Sequence, residues 1–202
     1  MTITNEDELR QLYGWPKGRA KIKILKELEK HSKNFLAHSP FFIMSTYNKD
    51  GQTDASPRGG QPGFVKILDN ETLLIPDAKG NNRVDSLVNI VETKQIGCLF
   101  LIPGINETLR INGTAIITND ADYINLFPEE QNPPKTCIKI TINEVFLHCA
   151  KALMRSELWE DTYRVSRPGF PNMGTMLNEQ LGTNNPVESQ EDMIKRLSLI
   201  HI

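Results

Sequence analysis

Cysteine is scarce in this chain. Its 202 residues hold 3 of them, Cys98, Cys137 and Cys149, an odd number at wide spacing with no Cys-x-x-Cys. That pattern excludes a disulfide framework and paired-cysteine redox chemistry, and a reduced cytoplasmic compartment is the expectation. Long apolar runs are also missing. The longest, 96–102, is far short of the ~20 residues that cross a bilayer. The first residues, MTITNEDELRQLYG, have no basic stretch leading into an apolar one, so no signal peptide is expected. A charge excess of either sign is absent as well: the formal net charge is −2. Binding through nucleic-acid phosphates needs a basic surplus, so no nucleic-acid partner is expected.

Several catalytic and binding motifs are absent too. There is no Gly-x-Gly-x-x-Gly after a strand, no Gly-x-x-x-x-Gly-Lys, no Gly-x-Ser-x-Gly and no His-Glu-x-x-His. The 4 histidines do not cluster with carboxylates at ligand spacing, so no metal site is expected. What is present is ordinary globular material, 39% hydrophobic and 24% charged. Its length suits one compact domain with appendages.

Residues 17–38 repeat apolar side chains at Ile22, Leu25, Leu28, Phe35 and Leu36, a helical spacing with lysines on a solvated face. Ser39-Pro40 stops that helix. Short strand-like runs follow: FFIMSTY, QTDASPRG, GFVKILD, TLLIP, IGCLFLIPG, TLRINGTAIIT and TCIKITINEVFLHCA. Asp50-Gly51 reads as a hairpin turn and Asp69-Asn70 as a second turn. A short helix is predicted over 84–92, another over 120–127 capped by Asn119, and further helices from Lys151, near 173–181 and near 190–199. Most connections are too short for parallel crossovers, so an antiparallel sheet curled into a barrel is the expected architecture.

Four polar clusters lie at strand ends. The first is Ser56-Pro57-Arg58-Gly59-Gly60. The second, Pro76-Asp77-Ala78-Lys79-Gly80-Asn81-Asn82-Arg83, runs from a strand into a helix. An exposed helix N-terminus offers free N–H groups to an anion, and Arg58 could complete a clamp around a phosphate. The same residues also fit a capped helix beside a surface arginine. The third is Arg110-Ile111-Asn112-Gly113, either a turn or a strand position approached closely by another backbone. The fourth is His148-Cys149-Ala150-Lys151-Ala152, where His148 fits a structural role as well as a site.

Taken in order over residues 30–160, these elements resemble the pyridoxamine 5′-phosphate oxidase-like family of FMN-binding split barrels. The markers are SPFFIMSTYNKDGQTDASPRG, GFVKIL, TLLIPDAKGNNRVDSLVNI, IGCLFLIPG, TLRINGTAIIT and FLHCAKALMRSELW. The resemblance implies a mainly β protein with peripheral helices, built on a six-stranded antiparallel split barrel. It also implies a homodimer with FMN at the interface. The expected division is an N-terminal helical segment 1–38, the barrel 39–160, and a C-terminal helical tail 161–202 packing on the barrel. The implied cofactor-binding residues are Ser56, Arg58, Pro76, Lys79, Asn81, Asn82 and Arg83, with Thr108 and Arg110 reaching the flavin from the other subunit and Lys151 beside it. A cation near the reduced ring would raise the flavin potential.

The implied function is an FMN-dependent oxidoreductase acting on a small molecule, with an electron donor such as NADPH. The alternatives are a flavin sensor or carrier without turnover, or a split barrel holding a deazaflavin or haem. The chain also departs from the oxidase itself. Arg58-Gly59-Gly60-Gln61-Pro62-Gly63 stands where that enzyme has Arg-x-x-x-Leu-Lys, and the tail lacks its substrate motif. Oxidation of pyridoxamine phosphate is therefore not expected.

Overall fold

The computed structural model describes residues 2–77, 80, 82–128 and 133–198. Three short helices come first: α1 (Glu6–Tyr13), α2 (Arg19–Ile22) and α3 (Lys30–His38). Strands β1 (Phe41–Tyr47), β2 (Thr53–Gly59), β3 (Lys66–Ile67) and β4 (Thr72–Asp77) follow, then α4 (Asp85–Thr93). Next are β5 (Gln95–Ile102), β6 (Ile105–Thr118), α5 (Ala121–Ile124), β7 (Thr136–His148) and α6 (Lys151–Ser156). A 3-10 turn at Arg167–Gly169 leads to α7 (Met173–Leu181) and α8 (Gln190–Ser198). No helix among the described residues is long and apolar enough to cross a membrane.

The strands form one antiparallel sheet in the order β2-β1-β5-β6-β7-β4-β3. Its seven strands match the seven strand-like runs of the sequence, where the resemblance implied six; the run GFVKILD is reduced to β3, a two-residue piece paired to β4. Alternation dictates the buried face. Phe42, Met44 and Thr46 of β1 are all buried, and so are Ile96, Cys98 and Phe100 of β5. Leu73 and Ile75, from the far end of the strand order, share one core with Phe42 and Phe100, so the sheet curls. The β1–β2 hairpin turns at Asp50-Gly51, where Gly51 has φ +80°. At the edge of the sheet, β2 carries Pro57, which has no N–H to offer.

The single helix expected over 17–38 is broken. Residues 23–29 leave the helical path: Leu25 exchanges two backbone hydrogen bonds with Val145, at 2.9 and 2.8 Å, and bends follow at Lys26 and Glu27. Glu29 then caps α3, accepting from the backbone N–H groups of His31 and Ser32 at 2.7 Å each. Tertiary pairing thus overrides helical periodicity. The cap of α5 is also not the predicted Asn119 but Asp120, which accepts from the N–H of Asp122.

Helix α4 docks onto the sheet through Ile90, which is buried in the core, and through two polar ties. Asn89 donates to Thr46 Oγ1 at 3.0 Å, and Ser86 donates to Asp54 Oδ2 at 2.5 Å. Both α4 side chains are buried. The tail beyond β7 is different: no described side chain from 146 to 196 is buried. Among the described residues, its one side-chain hydrogen bond to the sheet is from Trp159 Nε1 to the Ile105 carbonyl at 3.0 Å.

Cys98 and Cys137 lie inside, 3% and 0% exposed, while Cys149 is exposed. Burial pushes the Cys98 thiol up to about 12, against a weaker pull from Arg58. In the folded protein a disulfide reagent at neutral pH is expected to titrate Cys149 quickly. The other two thiols should react only after denaturation. Fast reaction of two or three thiols in the folded protein would contradict this packing.

Candidate functional site

Strand β2 presents Asp54, Ser56 and Arg58 on one face, spaced two apart. They stand opposite the buried Thr46, Met44 and Phe42 of β1, so all three side chains face inward at the rim of the curled sheet. There they meet the start of α4. Arg58 donates through Nη2 to Ser86 Oγ at 3.4 Å and through Nη1 to the Pro57 carbonyl at 2.9 Å. Those bonds use two of the five guanidinium N–H donors and leave three for a ligand.

The N-terminus of α4 has Val84 at its cap position, and no side chain among the described residues caps it. Its first-turn N–H groups and positive dipole end are the second half of an anion cradle. Asn82 adopts a left-handed conformation, φ 61°, in the approach to the helix. Arg83, beside it, is exposed and pairs with Asp85 at 2.6 Å. The structure therefore brings Ser56, Arg58, Asn82 and Arg83 to one end of the sheet. Lys79 and Asn81 lie outside the described residues. Pro76 is buried within β4, opposite Cys137.

Besides Asp85, two more carboxylates stand at this corner, and neither was among the implied cofactor-binding residues. Asp54 accepts from Ser56 Oγ at 3.0 and 3.2 Å as well as from Ser86. Asp77, half-buried at the end of β4, has its carboxyl pushed above the ordinary range by burial, with the Arg58 guanidinium pulling the other way. Asp77 and Arg58 sit near opposite ends of the strand order, so this coupling is itself a product of the curl. The sequence signal for Asp54 was the two-residue period Asp-x-Ser-x-Arg. Ser86, inside an apolar helix pattern, gave none.

Thr108 and Arg110 lie elsewhere. Arg58 pairs with Phe42, Phe42 with Phe100, and Phe100 with Leu109, so three strand spacings of ~4.8 Å separate Arg58 from that part of β6. Arg110 neighbours Leu109 and so points to the opposite, outer face of the sheet. Its guanidinium lies 5.7 Å from the ring centroid of Phe146, and Lys23 Nζ lies 4.8 Å from the same centroid. Thr108 is buried opposite His148. Lys151 is exposed on the first turn of α6.

An open concavity of about 660 Å³ lies beside Ser45, Tyr47, Gln95, Asn112 and Glu144. None of the predicted site residues lines it. Its charged lining is acidic, Asp54 and Glu144 with no Lys or Arg. It therefore does not suit a phosphate, and the corner at Arg58 does.

Residues 28–149 match the family described as Pyridoxamine 5′-phosphate oxidase. No curated protein matches the chain. Among solved structures, HupZ of Group A Streptococcus is 16% identical, with a TM-score of 0.50, over 59% of this chain and 93% of its own. An FMN-binding protein from Syntrophomonas wolfei is 11% identical over 71% of this chain and 97% of its own, with a TM-score of 0.47. An FAD binding protein from Mycobacterium smegmatis is 12% identical over 61% and 97%, with a TM-score of 0.43. At these identities the likeness to HupZ is one of fold. Well over half of the sequence falls within the matched region, and that region spans the whole curled sheet through the start of its last connection. This chain belongs to the pyridoxamine 5′-phosphate oxidase family.

Proposed function

We propose that this protein binds FMN and works as an oxidoreductase, exchanging a hydride between the bound flavin and a small molecule, with an electron donor such as NADPH. The observation that carries the reading is the meeting of Arg58 with the uncapped N-terminus of α4. A phosphate monoester carries nearly two negative charges at neutral pH. Three spare guanidinium donors, the first-turn N–H groups of α4 and the side chains of Asn82 and Arg83 fit that charge. Asp54 is already bonded to two hydroxyls, which offset part of its repulsion toward a phosphate.

FMN, when bound, supplies the hydride chemistry, so the protein needs no nucleophile or acid–base pair of its own. The chain's part is to bind and orient. In this reading Arg58 and α4 fix the phosphate end. Arg110, on the other face of the sheet, serves the flavin of a second copy in a homodimer that holds two FMN. Native mass spectrometry of loaded protein would then show two chains with two FMN.

Changing Arg58 to alanine is expected to weaken FMN binding by about 1.5–3 kcal/mol, the range for a hydrogen bond to a charged group. Riboflavin, which has no phosphate, should bind the variant and the parent alike. Parallel titrations of both ligands decide the matter. An equal loss for riboflavin and FMN would assign Arg58 to the ring or the fold and overturn the phosphate reading.

A further inference from the structure

We infer that Asp54 is a positioning residue for the phosphate cradle: its carboxylate holds Ser86, and through Ser86 it fixes the Arg58 guanidinium against the start of α4. This rests on the reading of that corner as a flavin-phosphate site. The geometry is a chain of hydrogen bonds with one polarity. Ser86 gives its only hydroxyl proton to Asp54 Oδ2 at 2.5 Å. Its oxygen can then act toward Arg58 only as an acceptor, and Arg58 Nη2 donates to it at 3.4 Å. Ser56, between Asp54 and Arg58 on the same strand face, donates to both carboxylate oxygens at 3.2 and 3.0 Å and fixes the carboxylate itself.

Ser86 is 3% exposed, so no bulk water stands ready to take over the acceptor's role. Without Asp54, the Ser86 side chain loses the bond that fixes its rotamer and strengthens its oxygen as an acceptor for Arg58. The guanidinium then loses its tether to the helix and becomes an ordinary mobile side chain at an edge strand. A second tie, Asn89 to Thr46 at 3.0 Å, keeps α4 docked when the first is cut, so the consequence is local.

The proposal makes a prediction opposite to simple charge counting. A carboxylate near a phosphate repels it, so its removal should tighten FMN binding if Asp54 acts only as a charge. As a positioning residue, Asp54→Ala should instead weaken FMN binding about tenfold, as expected for a weakened hydrogen bond to a charged group. Asp54→Asn retains an acceptor for Ser86 and should recover most of that loss although its charge is gone. In an Arg58→Ala background, Asp54→Ala should add no more than about twofold, because the residue through which it acts is missing.

The experiment is FMN and riboflavin titration of the full chain carrying these substitutions. Ser86→Ala is a second route to the same break, should Asp54→Ala fail to fold. Riboflavin binding should be unchanged throughout. Tighter or unchanged FMN binding by Asp54→Ala, or by Ser86→Ala in its place, would overturn the inference. So would an undiminished loss from Asp54→Ala in the Arg58→Ala background. Parent protein that fails to distinguish FMN from riboflavin would overturn the underlying site reading instead.

Discussion

Changing Gly113 to alanine is expected to destabilise the protein by about 3 kcal/mol or more, at the upper end of the cost of overpacking. A Cβ at this position would sit 2.1 Å from the Thr141 carbonyl oxygen, 3.1 Å from its carbonyl carbon and 3.2 Å from Ile140 Cγ2. The neighbour that would have to yield is backbone, and it is held on both sides. Thr141 pairs with Thr114 of β6 and with Thr72 of β4. The register of β6 against β7 shifts between Asn112 and Gly113, so the close approach belongs to a bulge that bends the longest pair of strands. Urea unfolding of the two proteins measures the effect. A loss under about 1 kcal/mol would mean that the bulge relaxes at little cost.

Changing Phe42 to alanine is expected to cost about 3–5 kcal/mol, the range for deleting a buried aromatic ring. Phe42 is 0% exposed. Its ring lies 4.7 Å from that of Phe100 and 5.9 Å from that of Phe64, centroid to centroid. It therefore joins β1, β5 and the loop before β3 at the point where the sheet curls. For a chain of this size the expected fall in melting temperature is about 6–20 °C. Phe42 is also the cross-strand partner of Arg58, so the cavity would open beneath the cradle. A calorimetric scan showing a fall of less than about 3 °C would contradict the role given to this cluster.

The sequence disclosed those features that short-range rules determine. Asp50-Gly51 is a turn because glycine supplies positive φ, and that rule needs no knowledge of the rest of the chain. The helix after Arg83 was legible from the spacing of Val84, Leu87, Val88 and Val91, but of these only Leu87 packs on the core; Val84, Val88 and Val91 are exposed, and Ile90 is the buried anchor. The segment before α3 was misread because its pattern of Ile22, Leu25 and Leu28 is helical, whereas the pairing of Leu25 with Val145, 120 residues away in sequence, is invisible to periodicity.

The candidate site divides in the same way. Arg58 and the helix start were found from residue chemistry. Asp54 shares the two-residue period of Ser56 and Arg58, but its bond to Ser86, which ties the two halves together across 32 residues, leaves no local trace. That Arg110 faces away from Arg58 follows only from counting pairs across four strands.

Both rims of the sheet end in strands that are poor templates. Pro57 interrupts the donor row of β2, and β3 offers only two residues. A strand from another molecule would find too few consecutive partners on either rim to zip into a continuous ladder. Self-association by growth of the sheet is thereby disfavoured. The exposed side of β2 should resist the conversion into fibrils that a long, regular rim would invite, even when the protein is concentrated.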